Sequence, residues 1–301
     1  MEIGVDLGGS HIAVGVVSSK KIIIAKREKD IEKHIKKEEM KDYIVDNIKI
    51  LISEVIRDIG APSCIISKIG IATPGKVKNN VIYDMYNLEI DEFDLCNCLS
   101  EYYGVEVKAR NDAKCAALAE KTVGNMKNYE DGVFLCLGTG IGGATFINGR
   151  MLEYTKDNGS EYGHMIIKKD GLICNCGNKG CFEKYASMKA FKTGIIKLLN
   201  LNENIQSKEL LEILKIKVKE KNIEVNDYID QYIDNLQVGL VNIINIFEPD
   251  VICLGGSFTY YDEILYTRLI EKMNLKKYNC SIPKIILAKL QNDAGIIGSL
   301  M

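Results

Sequence analysis

The chain has 301 residues, of which 47% are hydrophobic and 27% charged, and its 39 Lys and Arg against 41 Asp and Glu leave a net charge of −2. These values are typical of a globular protein with one large α/β unit or two domains that share an interface. The balanced charge gives no reason to expect nucleic acid or an anionic membrane as a partner. The apolar run from Val238 to Leu254 is interrupted by four polar or charged residues and predicts no membrane span, and the N terminus lacks the pattern of a signal peptide. We therefore expect a cytoplasmic protein.

The first residues predict three strands joined by tight turns: Glu2–Asp6, His11–Val17 and Lys21–Lys26. The first turn, Asp6–Ser10, reads Asp-Leu-Gly-Gly-Ser. Two glycines and a hydroxyl suit a backbone that must approach a phosphate closely, because no Cβ blocks the way and the amides become donors. A plain hairpin turn uses the same residues, so both interpretations stay open at this point.

Helices and strands alternate in the next part of the chain. Apolar residues at intervals of three and four predict an amphipathic helix over Glu38–Gly60. A buried strand is predicted from Ile65 to Ala72, and it ends in the turn Thr73-Pro74-Gly75, on the side of an α/β sheet where ligands usually bind. A helix over Asp91–Tyr103 and a strand over Val105–Ala109 follow.

That strand leads to Asn111 and Asp112, which precede a helix predicted over Ala113–Lys121. Asp112 has two interpretations. As an N-cap it would accept amide hydrogen bonds and interact favourably with the helix dipole. As a carboxylate at the carboxyl end of a strand it would act as a general base.

A second glycine-rich turn, Gly138–Ala144, lies between a strand over Gly132–Leu137 and one that runs to Ile147. It resembles the first turn, so the pair indicates that one half of the chain is a duplicate of the other. A third turn of small residues, Gly255–Ser257, follows a strand over Val251–Leu254. The remaining predicted elements are helices and one strand: Met188–Asn200, Lys208–Lys217, Val225–Phe247, Tyr261–Met273, the strand Lys284–Ala288 and the short helix Ala294–Gly298.

One imidazole and three thiols, His164, Cys174, Cys176 and Cys181, lie within 18 residues of one another. Zn²⁺ takes four nitrogen or sulfur ligands, and four protein ligands leave no position for an activated water, so we predict a structural zinc site. Chance clustering and a disulfide are the alternatives; the second is disfavoured because a cytoplasmic protein keeps its thiols reduced. Two carboxylates, Glu161 and Glu183, bracket this loop.

Taken together, these motifs resemble the ROK family, which holds bacterial sugar kinases and sugar-responsive repressors. The resemblance is carried by Asp6–Ser10, Asn111-Asp112-Ala113, Gly138–Gly143, Glu161–His164 and Cys174–Glu183, and it covers the chain from residue 2 to the Ala294–Gly298 ending. It implies an α/β protein with two actin-like, ribonuclease-H-like domains and an interdomain cleft. We expect an N-terminal domain of residues 1–112 joined by the C-terminal helix 293–301, and a larger domain of residues 113–292 that carries the zinc loop 164–183.

The resemblance also implies residue roles. Asp112 would take the proton from a sugar hydroxyl, usually that on C6, and Asp6 would lie near Mg²⁺ or its waters. The residues implied to bind ATP and its Mg²⁺ are Asp6, Gly8, Gly9, Ser10, Gly138, Thr139, Gly140, Gly255 and Gly256. Those implied to bind the sugar are Asn87, Asn111, Asp112, Glu161, His164 and Glu183. A homodimer is common in the family and is expected here.

The simplest expectation is therefore an ATP-dependent glucokinase with structural zinc. Tyr86 precedes Asn87 where glucokinase-like members commonly have proline, and the chain has no tryptophan, which weakens the case for glucose. An N-acetylmannosamine or N-acetylglucosamine kinase and a fructokinase are the alternatives, and polyphosphate is an alternative donor. A ROK transcriptional regulator is disfavoured, because repressors of the family carry a helix-turn-helix domain before the first turn, which here begins at residue 6.

Overall fold

The computed structural model describes residues 1–32, 34–60, 66–153, 159–275 and 281–301. The chain folds into two compact units. The first comprises Met1–Asn128, Glu153–Gly159 and Leu290–Met301, and the second comprises Tyr129–Leu152 and Ser160–Lys289. Within the described ranges, no helix combines the length and the hydropathy that crossing a bilayer requires.

The first unit contains eight strands and four helices in its described residues. In chain order these are β1 (Glu2–Leu7), β2 (His11–Val17), β3 (Ile23–Asp30), α1 (Met40–Asp58), β4 (Lys68–Thr73), β5 (Lys76–Lys78), β6 (Val81–Met85), β7 (Ile90–Phe93), α2 (Leu95–Tyr103), β8 (Glu106–Asn111) and α3 (Asp112–Thr122). A 3-10 helix, Tyr86–Leu88, lies between β6 and β7. The closing helix of the chain, Ala294–Gly298, also belongs to this unit and is named α9 below.

The second unit contains five strands and five helices in the part of the chain that is described. They are β9 (Gly132–Leu137), β10 (Ile141–Ile147), β11 (Arg150–Met151), α4 (Glu183–Ala186), α5 (Met188–Leu198), α6 (Ser207–Lys219), α7 (Ile223–Phe247), β12 (Val251–Gly255), α8 (Asp262–Leu275) and β13 (Lys284–Leu287). Two 3-10 helices, Tyr162–His164 and Gly256–Tyr261, complete the unit.

The main sheets of the two units have the same topology. Their strand orders are β3-β2-β1-β4-β8 and β11-β10-β9-β12-β13. In each, the central strand pairs antiparallel with the next strand of the chain and parallel with a later one, β1 with β4 and β9 with β12. This repeated topology agrees with the duplication that the two glycine turns predict.

In the first unit, the two faces of the sheet are covered differently. Ile3, Val5 and Leu7 of β1 are fully buried in a cluster with apolar residues of α1. The alternate residues of β1, among them Gly4 and Asp6, lie on the opposite face, toward α9. A Cβ added to Gly4 would lie 2.2 Å from the carbonyl oxygen of Ile296. Glycine at this position therefore lets α9 lie directly on the sheet.

The helix predicted over Asp91–Tyr103 is wrong for its first residues. Residues up to Phe93 form β7, which pairs with β6, and the helix α2 begins at Leu95 after the N-cap Asp94. Ile90 and Phe93 are buried in the core, so a helix-like spacing of apolar residues here reflects a strand that runs into a helix. Of the strand predicted from Ile65 to Ala72, residue 65 lies outside the described part and β4 covers Lys68–Thr73.

Helix α3 packs with the first unit, which extends past residue 112 to Asn128. Glu120 of α3 is fully buried, and its carboxylate accepts hydrogen bonds from the backbone N–H groups of Asn125 (2.9 Å) and Leu290 (2.7 Å). Leu290 is the first residue of the segment that returns to this unit. A Cβ at Gly124 would lie 2.1 Å from the Glu120 carboxylate, so glycine makes room for it. Glu120 thus ties the returning segment to α3.

We expect Glu120→Gln to lower the free energy of unfolding by about 1–3 kcal/mol, because the amide group can no longer accept both backbone N–H bonds and leaves a buried donor unsatisfied. Chemical unfolding followed by circular dichroism would measure the loss. Glu271→Gln, at an exposed position of α8, is the matched control. Equal stability of the two variants would contradict the assigned role of Glu120.

Candidate functional site

The carboxyl ends of the parallel strands β1, β4 and β8 lie side by side in the first unit. Asp6 is in register with Ala72, and Thr73 with Asn111. The first glycine turn leaves the sheet at this edge, and its Gly8 N–H donates to the carbonyl oxygen of His11 at 2.9 Å. Ligands of open α/β sheets usually bind at such an edge.

Asp6 lies at this edge, close to the start of α9. A Cβ added to Gly295 would lie 2.5 Å from the Asp6 carboxyl group, so the glycine accommodates it. Burial and, to a lesser degree, the charge of Asp112 raise the pKa of the Asp6 carboxyl to about 7, although Lys26 acts in the opposite direction. The two carboxyl groups are therefore near enough to oppose each other's ionisation.

Asn111, not Asp112, is the N-cap of α3. Its side-chain oxygen accepts from the N–H groups of Ala113 (3.1 Å) and Lys114 (3.3 Å), and its amide group donates to the carbonyl oxygen of Gly75 (3.1 Å). Asn111 is thus held by three hydrogen bonds at the end of β8. The capping interpretation of Asp112 is wrong for this reason.

Asp112 occupies the first position of α3, where its Oδ1 accepts the Ala113 N–H at 2.7 Å. Desolvation by the surrounding protein raises the pKa of its carboxyl, although the side chain still reaches solvent; the hydrogen bond from Ala113 acts in the opposite direction. A carboxylate with a raised pKa that solvent can reach is suited to accept a proton.

Asn87 and Gly9 also come together in this unit. Asn87 is an exposed residue of the 3-10 helix after β6, and a Cβ at Gly9 would lie 2.8 Å from its side-chain nitrogen. Ser10 is exposed, and its carbonyl oxygen accepts the N–H of Ile31 at 2.9 Å. The side chain of Asn87 therefore lies over the first glycine turn.

In the second unit, the two remaining glycine turns are adjacent. The N–H of Gly138 donates to the carbonyl oxygen of Gly140 at 3.0 Å, and Thr139 between them is exposed. Gly255 ends β12 in register with Cys136, and Gly256 has a left-handed φ of +70°. A Cβ at Gly256 would lie 2.6 Å from the carbonyl oxygen of Leu137. These residues therefore meet at the carboxyl edge of β9 and β12.

His164 and the three cysteines form a compact cluster. One ligand atom from each of His164, Cys174, Cys176 and Cys181 lies within 4.8 Å of all the others. The Cys174 Sγ is 3.7 Å from the His164 Nδ1, and the Cys176 and Cys181 Sγ atoms are 3.6 Å apart. Two sulfurs bound tetrahedrally to zinc at about 2.3 Å are about 3.8 Å apart. The donor set and its spacing therefore fit a four-coordinate metal ion.

The loop that carries the cluster is anchored on both sides. A Cβ at Gly239 of α7 would lie 2.2 Å from the ring of Phe182, so the fully buried ring packs directly on the helix. The hydroxyl groups of Tyr162 and Thr145 form a buried hydrogen bond, which ties the 3-10 helix of His164 to β10. Gly180, with a φ of +81°, makes the turn before Cys181.

Glu183 links the cluster to the second glycine turn. The Cys174 thiol donates to its Oε1 at 3.3 Å. A Cβ at Gly140 would lie 2.6 Å from its Oε2, and one at Gly163 would lie 3.3 Å away. Glu161, by contrast, is exposed, and the described residues offer its carboxylate no hydrogen-bond partner or ion pair.

The small residues that accommodate these carboxyl groups were not predicted from the sequence. Gly295 lies against Asp6, and Gly163 against Glu183. Both glycines lie in segments that carry the family resemblance, Glu161–His164 and Ala294–Gly298. Their contacts were not predicted, because nearly the whole length of the chain separates Gly295 from Asp6. The only available signal was glycine inside a short helix, where it is unfavourable unless close packing requires it.

The sequence from residue 2 to residue 301 matches the ROK family. Among the similar proteins, the glucokinase of Thermotoga maritima is 29% identical over 99% of this chain and 95% of its own length. The xylose repressor of Bacillus spizizenii is 30% identical over 85% of this chain and 64% of its own length. The N-acetyl-D-glucosamine kinase of Aliivibrio fischeri is 27% identical over 99% of this chain and 98% of its own length.

The fold is likewise similar to that of a known sugar kinase. The crystal structure of the ROK hexokinase from Thermus thermophilus superposes with a TM-score of 0.81 at 26% identity, covering 99% of this chain and 95% of the other. ROK kinases have the actin-like ATPase fold, and the repeated topology of the two sheets described above is that of this fold. The α/β class and the actin-like fold predicted from the sequence are confirmed.

The raised pKa of Asp6 leads to a testable pH dependence of stability. The folded state binds the proton of Asp6 more tightly than the unfolded chain does, because in the unfolded chain the carboxyl has its ordinary pKa of 3.8. The stabilisation is therefore complete below pH 3.8 and is lost as the pH rises through about 7. We expect the wild type to lose up to about 4 kcal/mol relative to Asp6→Asn between pH 4 and pH 8, because asparagine does not titrate.

Thermal unfolding of both proteins across this pH range measures the effect. Asp46→Asn, at an exposed position of α1, is the control and should follow the wild type. A difference between wild type and Asp6→Asn that stays constant with pH would show that Asp6 is ionised in the folded protein throughout the range.

Proposed function

The chain belongs to the ROK family, and on that premise we propose that it is an ATP-dependent sugar kinase that transfers a phosphoryl group to a hexose hydroxyl, most simply the C6 hydroxyl of glucose. The observation that carries the proposal is the position of Asp112. Its carboxylate begins a helix at the carboxyl end of a parallel strand, reaches solvent, and is free of the capping role that Asn111 fulfils. Sugar kinase relatives along the whole chain support the same activity.

In the proposed reaction, Asp112 accepts the proton of the sugar hydroxyl while that oxygen attacks the γ-phosphorus of ATP, and the bond to the β-phosphate oxygen breaks to release ADP. Phosphoryl transfer requires mainly positioning and neutralisation of charge. Mg²⁺ bound with ATP supplies part of that neutralisation. Asp6 would hold the metal or its waters, because its carboxyl is close to the charge of Asp112 and next to the first glycine turn.

The glycine turns would bind the phosphates and the adenosine. Short, exposed turns present backbone N–H groups to an anion at close range. Gly8, Gly9 and Ser10 would serve in the first unit, and Gly138, Thr139 and Gly140 in the second. The N–H groups of Gly8 and Gly138 already donate within their turns, so these two glycines would serve by leaving space for the phosphates. Gly255, which packs on Phe134, and Gly256, which packs on Leu137, would lie near the adenosine.

The sugar would be bound by amide and carboxyl side chains together with one imidazole. The proposed set is Asn87, Asn111, Asp112, Glu161, His164 and Glu183. Asn111 has one amide hydrogen left after its three hydrogen bonds, so it can donate once more. His164 directs Nδ1 toward Cys174, which leaves Nε2 for a sugar hydroxyl. A site of paired polar groups discriminates against sugars that lack a hydroxyl.

We further propose that the cluster of His164 and the three cysteines holds a structural Zn²⁺. Four protein ligands would close the coordination sphere, so the metal would stabilise the loop and take no part in proton transfer. The role would be support: the loop carries Glu183, whose carboxylate contacts both Cys174 and the turn at Gly140. Rigid support of a binding residue by groups behind it is a general requirement of precise sites.

We expect Asp112→Asn to lower kcat by about 10²–10⁴-fold, the usual contribution of general base catalysis, with the Kd of the sugar within a fewfold of wild type. Coupled ADP release measures turnover, and calorimetric titration measures sugar binding. Asp91→Asn, an exposed position of β7, is the matched control. A kcat near that of the wild type would refute the assignment of the base.

Elemental analysis of freshly purified protein should find about one zinc per chain. Cys176→Ser should reduce the metal content, lower the Tm and raise the KM for the sugar, because metal binding contributes to folding and to the position of Glu183. Cys98→Ser removes an exposed thiol of α2 and should change none of the three. Metal-free wild-type protein with full stability would overturn the proposed zinc site.

A second candidate function is that of a sugar-responsive transcriptional regulator, and the 30% identity to a xylose repressor favours it. ADP release measured across glucose, fructose, mannose and the N-acetylated hexosamines separates the two functions and identifies the substrate. Turnover of one of these sugars supports the kinase, and sugar binding without turnover of any supports the regulator. The same assay with polyphosphate tests the donor, and light scattering tests the expected homodimer.

A further inference from the structure

Lys192, in the second turn of α5, is a half-buried cation without an acidic partner. Its Nζ donates to the Ser207 Oγ at 2.8 Å and lies 5.4 Å from the centre of the Tyr261 ring. No carboxylate of the described residues forms an ion pair with it. Two other half-buried lysines of the same unit are paired: Lys215 with Glu263 at 3.0 Å and Lys272 with Asp234 at 2.6 Å. Lys192 is therefore a charge that the protein itself leaves uncompensated.

An uncompensated ammonium group in a partly desolvated place is unfavourable. Burial lowers the pKa of Lys192, and no opposing charge acts to restore it. The Ser207 hydroxyl and the face of the Tyr261 ring offset part of this cost, because both interact favourably with a cation. An anion bound beside Lys192 would supply the missing charge.

The surroundings of Lys192 indicate which anion this is. Tyr261 ends the 3-10 helix that begins at Gly256, and Gly256 packs on Leu137 at the second glycine turn. One helical turn before Lys192, the backbone N–H of Lys189 donates to the carbonyl oxygen of Gly138 at 3.1 Å. The first turn of α5 therefore borders the Gly138 turn, and Lys192 in its second turn lies at the end of the 3-10 helix that begins at Gly256.

Lys189 is exposed and lies on the same face of α5 as Lys192, since residues three apart are neighbours on a helix. Two lysines thus follow one another along a helix that starts at the Gly138 turn and reaches the 3-10 helix of Gly256–Tyr261. In both turns, backbone amides and small residues suit a phosphate or a nucleoside. The ligand that fits a row of such turns and cations is an extended anion such as a nucleoside triphosphate.

We propose that Lys192, together with Lys189, binds the phosphates of the nucleotide and contributes to its affinity. The inference rests on the proposed kinase function and adds two residues to it. Ser207 and Tyr261 hold the ammonium group of Lys192 in place before the nucleotide arrives. Because the contact is to the nucleotide and not to the sugar, its loss should lower the affinity for the nucleotide and leave the affinity for the sugar unchanged.

Calorimetric titration with a non-hydrolysable ATP analogue and Mg²⁺ tests the proposal directly. We expect K192Q to raise the Kd for the analogue about tenfold or more, and K189Q to raise it severalfold, while the Kd for the sugar stays unchanged. K197Q, at an exposed position in the last turn of α5, is the matched control and should bind like the wild type. K192Q should also weaken the dependence of nucleotide binding on salt concentration.

A role of Lys192 in folding alone would have a different signature. K192Q would then lower the Tm while its Kd for the analogue stayed at the wild-type value, and this result would overturn the proposal. If K192Q does not fold, acetylation of the wild-type protein followed by mass spectrometry gives the answer. Saturating analogue should protect Lys192 and leave the labelling of Lys197 unchanged, and equal labelling of Lys192 with and without analogue would overturn the proposal.

The kinase function and the role of the two lysines are refuted by different results. Wild-type protein that binds no nucleotide in either experiment would refute the kinase function and, with it, the role of Lys192. Wild-type protein that binds the analogue, with K192Q and K189Q binding equally well, would refute only the role of the two lysines.

Discussion

The burial of two carboxyl groups, those of Asp6 and Asp112, at one sheet edge is the constraint around which this part of the first unit is arranged. Burial is the main cause that raises the pKa of each carboxyl, and the charge of Asp112 also raises the pKa of Asp6. The fold accommodates both carboxyl groups. Gly295 leaves room for Asp6, and the Ala113 N–H donates a hydrogen bond to Asp112. If Asp112 acts as the base and Asp6 holds the metal, as proposed, this unfavourable pair would be useful.

The close packing of α9 against the sheet also contributes to the surroundings of Asp6. Gly4 and Gly70 bring the backbone of the closing helix onto β1 and β4, and Gly295 then meets Asp6. Glu120 secures the segment from which α9 follows, through the N–H of Leu290. The last twelve residues of the chain therefore form part of the surroundings of Asp6. A substitution near either end of the chain should affect this carboxyl group.

In the second unit, the loop before α4 is held together by a small cluster of polar side chains. His164 and the three cysteines gather a loop that leaves the side chains of Ile166, Leu172 and Ile173 exposed, and the ring of Phe182 anchors this loop on α7. Glu183 then extends from the cluster to the turn at Gly140, so the loop and the glycine turn share one carboxylate. Along α5, the two lysines continue from this turn toward Tyr261.

The sequence by itself determined the class of the fold, the repeated glycine turns and the ligand set of the cluster. These depend on local periodicity and on residue type, which are visible without coordinates: β2 was predicted at its observed bounds, His11–Val17, and the helical spacing of apolar residues placed α1 within two residues at each end. Tertiary structure alone decided that β7 precedes α2, since pairing with β6 outweighs local helix preference, and that Asn111 caps α3 in place of Asp112. It alone decided the contacts of Asp6 with Gly295, of Glu183 with Gly140, and of Lys192 with Ser207 and Tyr261. Such contacts join residues far apart in the chain, and neither propensity nor spacing carries information about which distant groups will be buried together.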